Sequence, residues 1–355
     1  MTEEGVFVEV DLQTAIGHMI LTGFRGLRLS DGDPLAVDLA EGRVGSVVLF
    51  DFDVARRAPV YNIDSPRQVR ELTAALQHLA RSPLLIAIDQ EGGKVNRLKE
   101  ERGFPATVSA HTLGMQNDRQ RTAAYADATA SCLADIGINI NLSPVVDLDL
   151  NADNPIIGRM ERSFGADADI VVAHAVEVIT AHHRHGVVCT LKHFPGQGSA
   201  TKDTHREFVD VTAVWQEIEL EPYRRIIEAG LCDAVMTSHI YNGRIDPEYP
   251  ATLSRRTVTG ILRERLGFDG VVISDDLQMR AISRQYGLET AVEKAIDAGV
   301  DILSFANNID EEPLRIGRVV GIVLDLVRRG KLRESRLEES VARIRRLKDR
   351  VAAQE

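Results

Sequence analysis

Two consecutive carboxylates, Asp275 and Asp276, follow a short apolar run at Gly270–Ser274. That run has the composition of a strand buried on both faces. Adjacent side chains leave a strand in different directions, so only one of the two aspartates can point inward. An inward carboxylate can attack the anomeric carbon of a sugar and later be displaced by water, whereas its neighbour can cap the next helix. We expect one aspartate in each role.

A second chemical candidate is the stretch Leu191–His205, where an apolar run ends in Lys192-His193 and opens into a loop held by proline and glycine. This loop then presents Asp203 and His205. An aspartate near a histidine can hold its tautomer and stabilise the imidazolium, which makes the histidine a proton donor and acceptor near neutral pH. A surface loop explains an isolated Asp-x-His pair more often, but the position after a strand ending in Lys-His favours the catalytic interpretation.

A third candidate is the pair Asp89 and Arg97, which also follows an apolar run. An inward carboxylate with a nearby guanidinium suits sugar hydroxyls, because these donate and accept hydrogen bonds together. An ion pair within the loop explains the same pattern equally well, so the two interpretations stay open.

The elements that must position these residues alternate along the chain between short apolar runs and longer amphipathic segments. An early run at Met19–Phe24 is the candidate eighth strand, and the other seven are Val44–Phe50, Leu84–Asp89, Ile138–Val146, Val187–His193, Ala234–Ile240, Gly270–Ser274 and Asp301–Phe305. The alternation predicts an α/β fold with a parallel sheet, and about eight strands in this length favour a closed (β/α)8 barrel of the TIM type. The polar residues that end the strands should then meet at one rim, where barrel enzymes have their active sites.

The predicted helices are 65–80, 118–136, 167–185, 213–229, 254–267, 288–298, 314–329 and 334–351. Ser65 and Ser254 are the expected N-caps of two of them. The chain shows no linker and no break in composition, so we expect a single domain over 1–355 that ends in the helix near 334–351.

The composition limits the class of protein. Of 355 residues, 44% are hydrophobic and 27% charged, and the formal net charge of -11 disfavours a nucleic-acid partner. Met1–Glu4 has no basic region before an apolar stretch, and no apolar run has the length of a membrane span, so we expect a cytoplasmic protein without a membrane partner.

We expect no cofactor and no metal. The glycines form neither a G-x-G-x-x-G pattern nor a phosphate loop. His182, His183 and His185 have no carboxylate three or four residues away, and we interpret them as surface residues rather than metal ligands.

Several segments together resemble glycoside hydrolase family 3, specifically its single-domain β-N-acetylglucosaminidase branch. They occur in the order of that family and span roughly residues 15 to 310: Ile88–Gly93, Asn141–Asp147, Arg162–Gly165, Lys192–Gly198, Asp203–His205, Met236–Ile240 and Ser274–Leu277.

The resemblance implies a hydrolase of terminal β-linked N-acetylglucosamine, a class that often works on wall-derived sugars. It implies Asp275 as the nucleophile and His205 as the general acid/base, with Asp203 as the partner of His205 on a mobile loop. The residues it implies for binding the sugar are Asp89, Arg97, Arg162, Lys192 and His193. Other branches of the family take a carboxylate acid/base from a second domain, for which a single-domain chain leaves no room.

The chain departs from the family within this loop, where Gly-His-Gly-Asp-Thr is usual. Here the sequence is Gly196-Gln197-Gly198-Ser199-Ala200, so Gln197 and Ser199 bear on loop conformation, loop closure and substrate preference.

Three alternatives remain: a phosphorylase on the same fold, a β-glucosidase or β-xylosidase of the same family, and a catalytically inactive sugar-binding protein. The oligomeric state and the group attached to the N-acetylglucosamine stay open.

Overall fold

Eight parallel strands form the centre of the computed structural model, which describes residues 12–30 and 32–352. The segment Met1–Glu4 therefore lies outside the described residues. Every strand residue is buried, as expected for strands covered on both faces. In chain order the strands are β1 (Ile20–Thr22), β2 (Ser46–Leu49), β3 (Leu85–Ile88), β4 (Ile140–Asn141), β5 (Val188–Phe194), β6 (Ala234–Thr237), β7 (Val271–Ile273) and β8 (Leu303–Phe305).

The sheet closes on itself. Neighbouring strands pair in sequence from β1 to β7, and β8 pairs with β1 in parallel, with Leu21 opposite Ser304. On its other side β8 is bridged to β7, where Ile273 faces Ile302 and the Ser274 amide donates to the Ile302 carbonyl at 2.9 Å. The predicted (β/α)8 barrel is thereby confirmed, including the early run as the first strand.

The connecting helices begin where the sequence supplies capping groups. The hydroxyl of Ser65, which precedes Pro66, accepts a hydrogen bond from the Gln68 amide. The Ser254 hydroxyl accepts one from the Thr257 amide. The α-helices are α1 (Leu12–His18), α2 (Pro34–Ala40), α3 (Pro66–Leu79), α4 (Ala110–Gln116), α5 (Arg119–Asp135), α6 (Ala168–Arg184), α7 (Glu221–Glu228), α8 (Arg280–Ser283), α9 (Gly287–Ala298), α10 (Ile316–Arg328) and α11 (Glu334–Ala352). Arg256–Arg265 forms a π-helix, and short 3-10 helices lie at Glu100–Arg102, Glu217–Leu220 and Ala251–Leu253.

Most predicted strands lose one to three residues at their ends, and two predicted elements differ more strongly. The run Ile138–Val146 contributes only Ile140–Asn141 to the regular sheet, because Pro144 has no amide hydrogen with which to continue the ladder. The helix expected over 213–229 is an irregular segment followed by a 3-10 turn at Glu217–Leu220 and then α7. This difference places the Glu219 side chain against the active-site loop, as shown below.

Of the helices that the structure describes, none combines the length and the apolar character that a transmembrane segment requires. The terminal helix α11 instead packs against the amino-terminal end of the barrel, through a buried ion cluster around Asp301. The Asp301 side chain is fully buried and contacts Arg263 at 2.6 Å, Arg336 at 3.3 Å and Arg343 at 3.4 Å. It also accepts hydrogen bonds from the Ser340 hydroxyl and the Val272 amide, so one carboxylate joins α11 to β7.

Replacing Asp301 with Asn should destabilise the protein by about 3–5 kcal/mol, because it leaves buried guanidinium groups without their counter-charge. Urea unfolding followed by circular dichroism measures the loss. The control is Asp297→Asn on the exposed face of α9, which should change stability by less than about 0.5 kcal/mol. Equal losses in the two variants would contradict a special role for the Asp301 cluster.

Candidate active site

The predicted site residues gather at the carboxyl-terminal rim of the barrel. Asp89 follows β3 directly, Lys192 and His193 lie near the end of β5, and Asp275 lies two residues after β7. Parallel strands bring their carboxyl ends to the same side of a barrel, so residues far apart in sequence meet there. Of the remaining predicted residues, Arg97 lies in the loop after β3, Arg162 in the loop after β4, and Asp203 and His205 in the loop after β5.

The base of the site is a cluster of buried charges around Lys192, whose side chain is 2% exposed. Its Nζ lies 2.6 Å from a carboxylate oxygen of Asp89 and 2.6 Å from one of Glu91. Arg162 donates two hydrogen bonds to Glu91, both of 2.8 Å, in a bidentate arrangement. Burial alone raises the pKa of Glu91, but the charges of Arg162 and Lys192 hold it well below its ordinary value. The four groups therefore form a rigid, charge-balanced floor.

His193 is oriented by Asp147, a carboxylate with no exposed surface. Its ring Nδ1 lies 2.7 Å from Asp147 Oδ2, and its ring Nε2 lies 3.1 Å from Arg162 Nη2. A guanidinium can only donate, so Nε2 accepts and Nδ1 carries the hydrogen that Asp147 accepts. Asp147 also accepts hydrogen bonds from the backbone amides of His193 and Gln197, so it fixes both the ring and the start of the following loop.

Arg97 is held less tightly than the residues of the floor. Its guanidinium lies 3.4 Å from Asp51 and 3.9 Å from Asp89, and it stacks over the ring of Phe50 with 5.5 Å to the centroid. The Nε of Arg97 is buried, and within the described residues it has no hydrogen-bond partner. Both earlier interpretations of Asp89 and Arg97 thus have a basis, since the two residues form a long ion pair and also retain polar capacity toward the rim.

The adjacent aspartates occupy different environments. Asp276 accepts hydrogen bonds from the amides of Gln278 and Ala306, and burial raises its pKa to about 7. Burial also acts to raise the pKa of Asp275, but the charges of His239, His193 and His205 and the amide of Asp276 bring it below its ordinary value. Asp275 is therefore the ionised carboxylate, and Asp276 anchors the turn.

Asp203 and His205 lie together on the loop after β5. The Asp203 carboxylate accepts a hydrogen bond of 2.7 Å from His205 Nδ1 and another from the His205 amide. Desolvation by the surrounding loops lowers the pKa of His205, but the hydrogen bond to Asp203 and the charge of Asp275 outweigh it and raise the pKa above its ordinary value. The His205 side chain remains 54% exposed, and Nε2 is the ring atom left to exchange a proton with a ligand.

The two unusual loop residues are buried rather than exposed. The Ser199 hydroxyl donates to Glu219 Oε1 at 2.6 Å, and the Gln197 side-chain oxygen accepts a hydrogen bond of 2.6 Å from the Ser238 hydroxyl. Both residues thus attach the first half of the loop to the barrel.

Three further residues shape this site: Glu91, Asp147 and Glu219. Sequence reasoning placed the first two among the polar residues that follow strands but gave them no role, and it missed Glu219. Glu91 and Asp147 lie in segments that end predicted strands, so the sequence indicated their position at the rim but not their hydrogen-bond partners. Glu219 lies in a segment predicted as a regular helix, which gave no such indication. His239, near the end of the predicted strand at Ala234–Ile240, is fully buried and lies 2.9 Å from the Asp276 carbonyl, so it supports the aspartate turn from beneath.

The interpretation of the histidine cluster on α6 as surface residues was wrong for His182. That side chain is 1% exposed and hydrogen-bonds to Asn141 and to the Val178 carbonyl. Its neighbours His183 and His185 pair with Asp233 and Asp127, carboxylates that lie far away in sequence and close in the fold.

An ionised aspartate, a histidine held by a carboxylate and a floor of buried charged groups on a (β/α)8 barrel define the class of glycoside hydrolases. The chain belongs to glycoside hydrolase family 3, because the model of the family's N-terminal domain matches residues 13–347. This finding confirms the family predicted from the sequence.

Curated relatives and solved structures agree with this assignment. The chain is 38% identical over 295 residues to a β-hexosaminidase of Xylella fastidiosa, an alignment that covers 80% of this chain and 82% of that relative. It is 36% identical over 303 residues to one of Nitrosomonas eutropha, with 82% and 81% covered.

Among solved structures, a family 3 β-N-acetylglucosaminidase of a Paenibacillus species superposes with a TM-score of 0.88 at 35% identity. The match covers 98% of this chain and 64% of that protein, so this chain spans under two thirds of it. A β-N-acetylhexosaminidase of Beutenbergia cavernae superposes with a TM-score of 0.83 at 29% identity and is covered over 99% of its length.

Replacing Asp147 with Asn should lower kcat/KM on an N-acetylglucosaminide by about 10- to 100-fold, because charged hydrogen bonds to the ring and amide of His193 are lost. The control is Asp153→Asn, an exposed carboxylate on a neighbouring loop that pairs only with Arg159. Unchanged kinetics in Asp147→Asn would show that His193 needs no such support.

Proposed function

We propose that this chain is a retaining exo-β-N-acetylglucosaminidase and that residues 1–355 work as one catalytic domain. The observation that carries the proposal is the pairing of an ionised Asp275 with a carboxylate-held His205 at one rim. The names of the relatives and the geometry of the floor support the substrate class.

In the first step, the Asp275 carboxylate attacks the anomeric carbon of a terminal β-linked N-acetylglucosamine. His205 protonates the glycosidic oxygen as its bond to that carbon breaks. The raised pKa of His205 keeps the imidazole protonated for this step, and the lowered pKa of Asp275 keeps the nucleophile ionised.

In the second step, the neutral His205 takes a proton from water, and the oxygen of that water displaces Asp275 from the anomeric carbon. The configuration is retained because two displacements invert it twice. Asp203 stabilises the imidazolium that forms. We assign Asp89, Arg97, Arg162, Lys192 and His193 to the cradle that binds the hydroxyl groups of the sugar. Asp89, Arg162 and Lys192 belong to the floor, and Arg97 and His193 contact it.

The cellular location of the enzyme and the source of its substrate belong to the same proposal. We infer a cytoplasmic enzyme that takes wall-derived sugars released for reuse. The substrate class of the family supports this inference.

The direct test is hydrolysis of p-nitrophenyl β-glycosides of N-acetylglucosamine and of glucose. Wild type should cleave the first, Asp275→Ala should abolish the activity, and His205→Ala should lower it by about 10²- to 10⁴-fold because general acid/base catalysis is removed. Lys202→Ala on the same loop has an exposed side chain and serves as the control.

The alternatives give distinct outcomes in this assay. Preference for the glucoside would assign a β-glucosidase on the same fold. Turnover that requires phosphate and yields a sugar 1-phosphate would assign a phosphorylase. Binding of N-acetylglucosamine without turnover would assign an inactive sugar-binding protein.

The pH dependence of kcat/KM should be bell-shaped. Asp275 must be ionised, so activity falls on the acid side through a pKa below the ordinary 3.8. His205 must be protonated, so activity falls on the alkaline side through a pKa above the ordinary 6.5. Replacing Asp203 with Asn removes an interaction that raises the pKa of His205, and the alkaline limb should move to lower pH.

Glu207→Gln is the matched control for this shift, since Glu207 is an exposed carboxylate on the same loop that pairs with Lys202. An alkaline limb that stays in place in Asp203→Asn would assign that limb to a group other than His205.

A further inference from the structure

A buried carboxylate lies beneath the catalytic loop. Glu219, in the 3-10 turn before α7, has no exposed surface. Its Oε1 accepts hydrogen bonds from the Ser199 hydroxyl at 2.6 Å and the Gln216 amide at 3.3 Å. Its Oε2 accepts hydrogen bonds from the amides of Gly198 at 3.0 Å and Ser199 at 3.4 Å. Three of these four donors belong to the loop that leads to His205.

No cation forms an ion pair with Glu219 in the part of the chain that the structure describes. A buried carboxylate without a counter-ion is costly unless hydrogen bonds replace its hydration, and here the loop supplies most of them. Burial raises the pKa of Glu219 to about 7, against the lowering effect of the bonds from Ser199 and Gln216. The carboxylate and the loop therefore stabilise each other.

The residue at position 199 matters for this contact. Ser199 supplies a hydroxyl donor at a position where the related family usually has aspartate. An aspartate there would direct a second carboxylate at Glu219 in a buried environment, and like charges at such a distance repel strongly. In this chain the serine makes the contact attractive.

The opposite side of the same loop segment is fixed to the barrel. Asp147 accepts a hydrogen bond of 2.8 Å from the Gln197 amide, and Asn154 donates to the carbonyls of Gln197 and Gly198. Gly198 also lies so close to the Leu148 carbonyl that a Cβ atom at this position would lie 1.6 Å from its oxygen. The segment 196–200 is thus held between Glu219 on one side and Asp147, Leu148 and Asn154 on the other.

The loop changes character directly after this segment. Thr201 and Lys202 are exposed, as are residues 205–207, whereas residues 196–200 are all buried. The loop therefore consists of a fixed base at 196–200 and an arm at 201–207 that carries Asp203 and His205. The arm is exposed except at Asp203, which is half-buried, and at Thr204, which is buried. The position of the base at residue 200 therefore determines where the arm begins.

We propose that Glu219 is a positioning residue for His205: it fixes the loop base through Gly198 and Ser199 and so sets where the acid/base stands over the nucleophile. This inference rests on the acid/base role proposed above for His205.

The test compares two substrates that differ in their need for protonation. N,N′-diacetylchitobiose has a sugar leaving group that requires a proton, whereas p-nitrophenol leaves readily without full protonation. In Glu219→Gln, kcat/KM on the disaccharide should fall about tenfold or more, which corresponds to the loss of one hydrogen bond to a charged group. On the p-nitrophenyl glycoside, kcat/KM should fall clearly less. The ratio of the two values does not depend on the fraction of folded enzyme.

Two further variants sharpen the comparison. Ser199→Ala removes one donor and should change the ratio in the same direction by a smaller factor. Glu217→Gln changes an exposed carboxylate of the same turn, which pairs with Arg265 outside the loop, and should leave the ratio unchanged.

His205→Ala separates the two proposals. If His205→Ala shows no selective loss on the disaccharide, the acid/base assignment itself fails. If His205→Ala shows that selectivity but Glu219→Gln retains the wild-type ratio, the positioning role of Glu219 is wrong and the acid/base assignment stands.

Discussion

The need to neutralise buried charge at the rim of an apolar barrel governs the architecture of this site. Removing an ion from water costs several kcal/mol, and the cost is offset only when partners stand at fixed, short distances. Lys192 forms short ion pairs with Asp89 and Glu91, and Arg162 forms one with Glu91. These contacts join the ends of β3 and β5 to the loop that carries Arg162. The direction of His193, the next residue on β5, follows from the same constraint.

The same electrostatic rule separates the two aspartates after β7. The environment of Asp275 includes three histidines, whereas Asp276 has backbone amides as its partners. The histidines lower the pKa of Asp275, whereas burial outweighs the amide hydrogen bonds of Asp276 and raises its pKa. A difference in pKa between neighbouring carboxylates is the usual physical basis for assigning them different tasks. Neither the spacing nor the residue type distinguishes them, since both are aspartates in one tripeptide.

Much of the fold was predictable because barrel strands are apolar on both faces and end in polar residues. The caps at Ser65 and Ser254 were equally local signals. The failures occurred where long-range contacts decide the outcome. The segment before α7 bends so that Glu219 reaches a loop some 20 residues earlier in the chain. The partners of Asp147 and His182 could not be predicted for the same reason, since a sequence pattern reports neighbours along the chain and not across the barrel. The short β4 is different, because Pro144 is a local signal that the apolar pattern masked.

The seam between β7 and β8 lies directly under Asp275, the proposed nucleophile. The Ser304 amide donates to the Ser274 hydroxyl, and the Ala306 amide donates to Asp276, so residues on both sides of Asp275 are fastened to the last strand. During synthesis, Asp275 is added to the chain before the residues of β8. A nascent or truncated barrel can therefore contain every proposed catalytic and sugar-binding side chain and still lack a fixed nucleophile. If Asp275 acts as proposed, recovered activity therefore reports that the final strand has paired with both the first and the seventh.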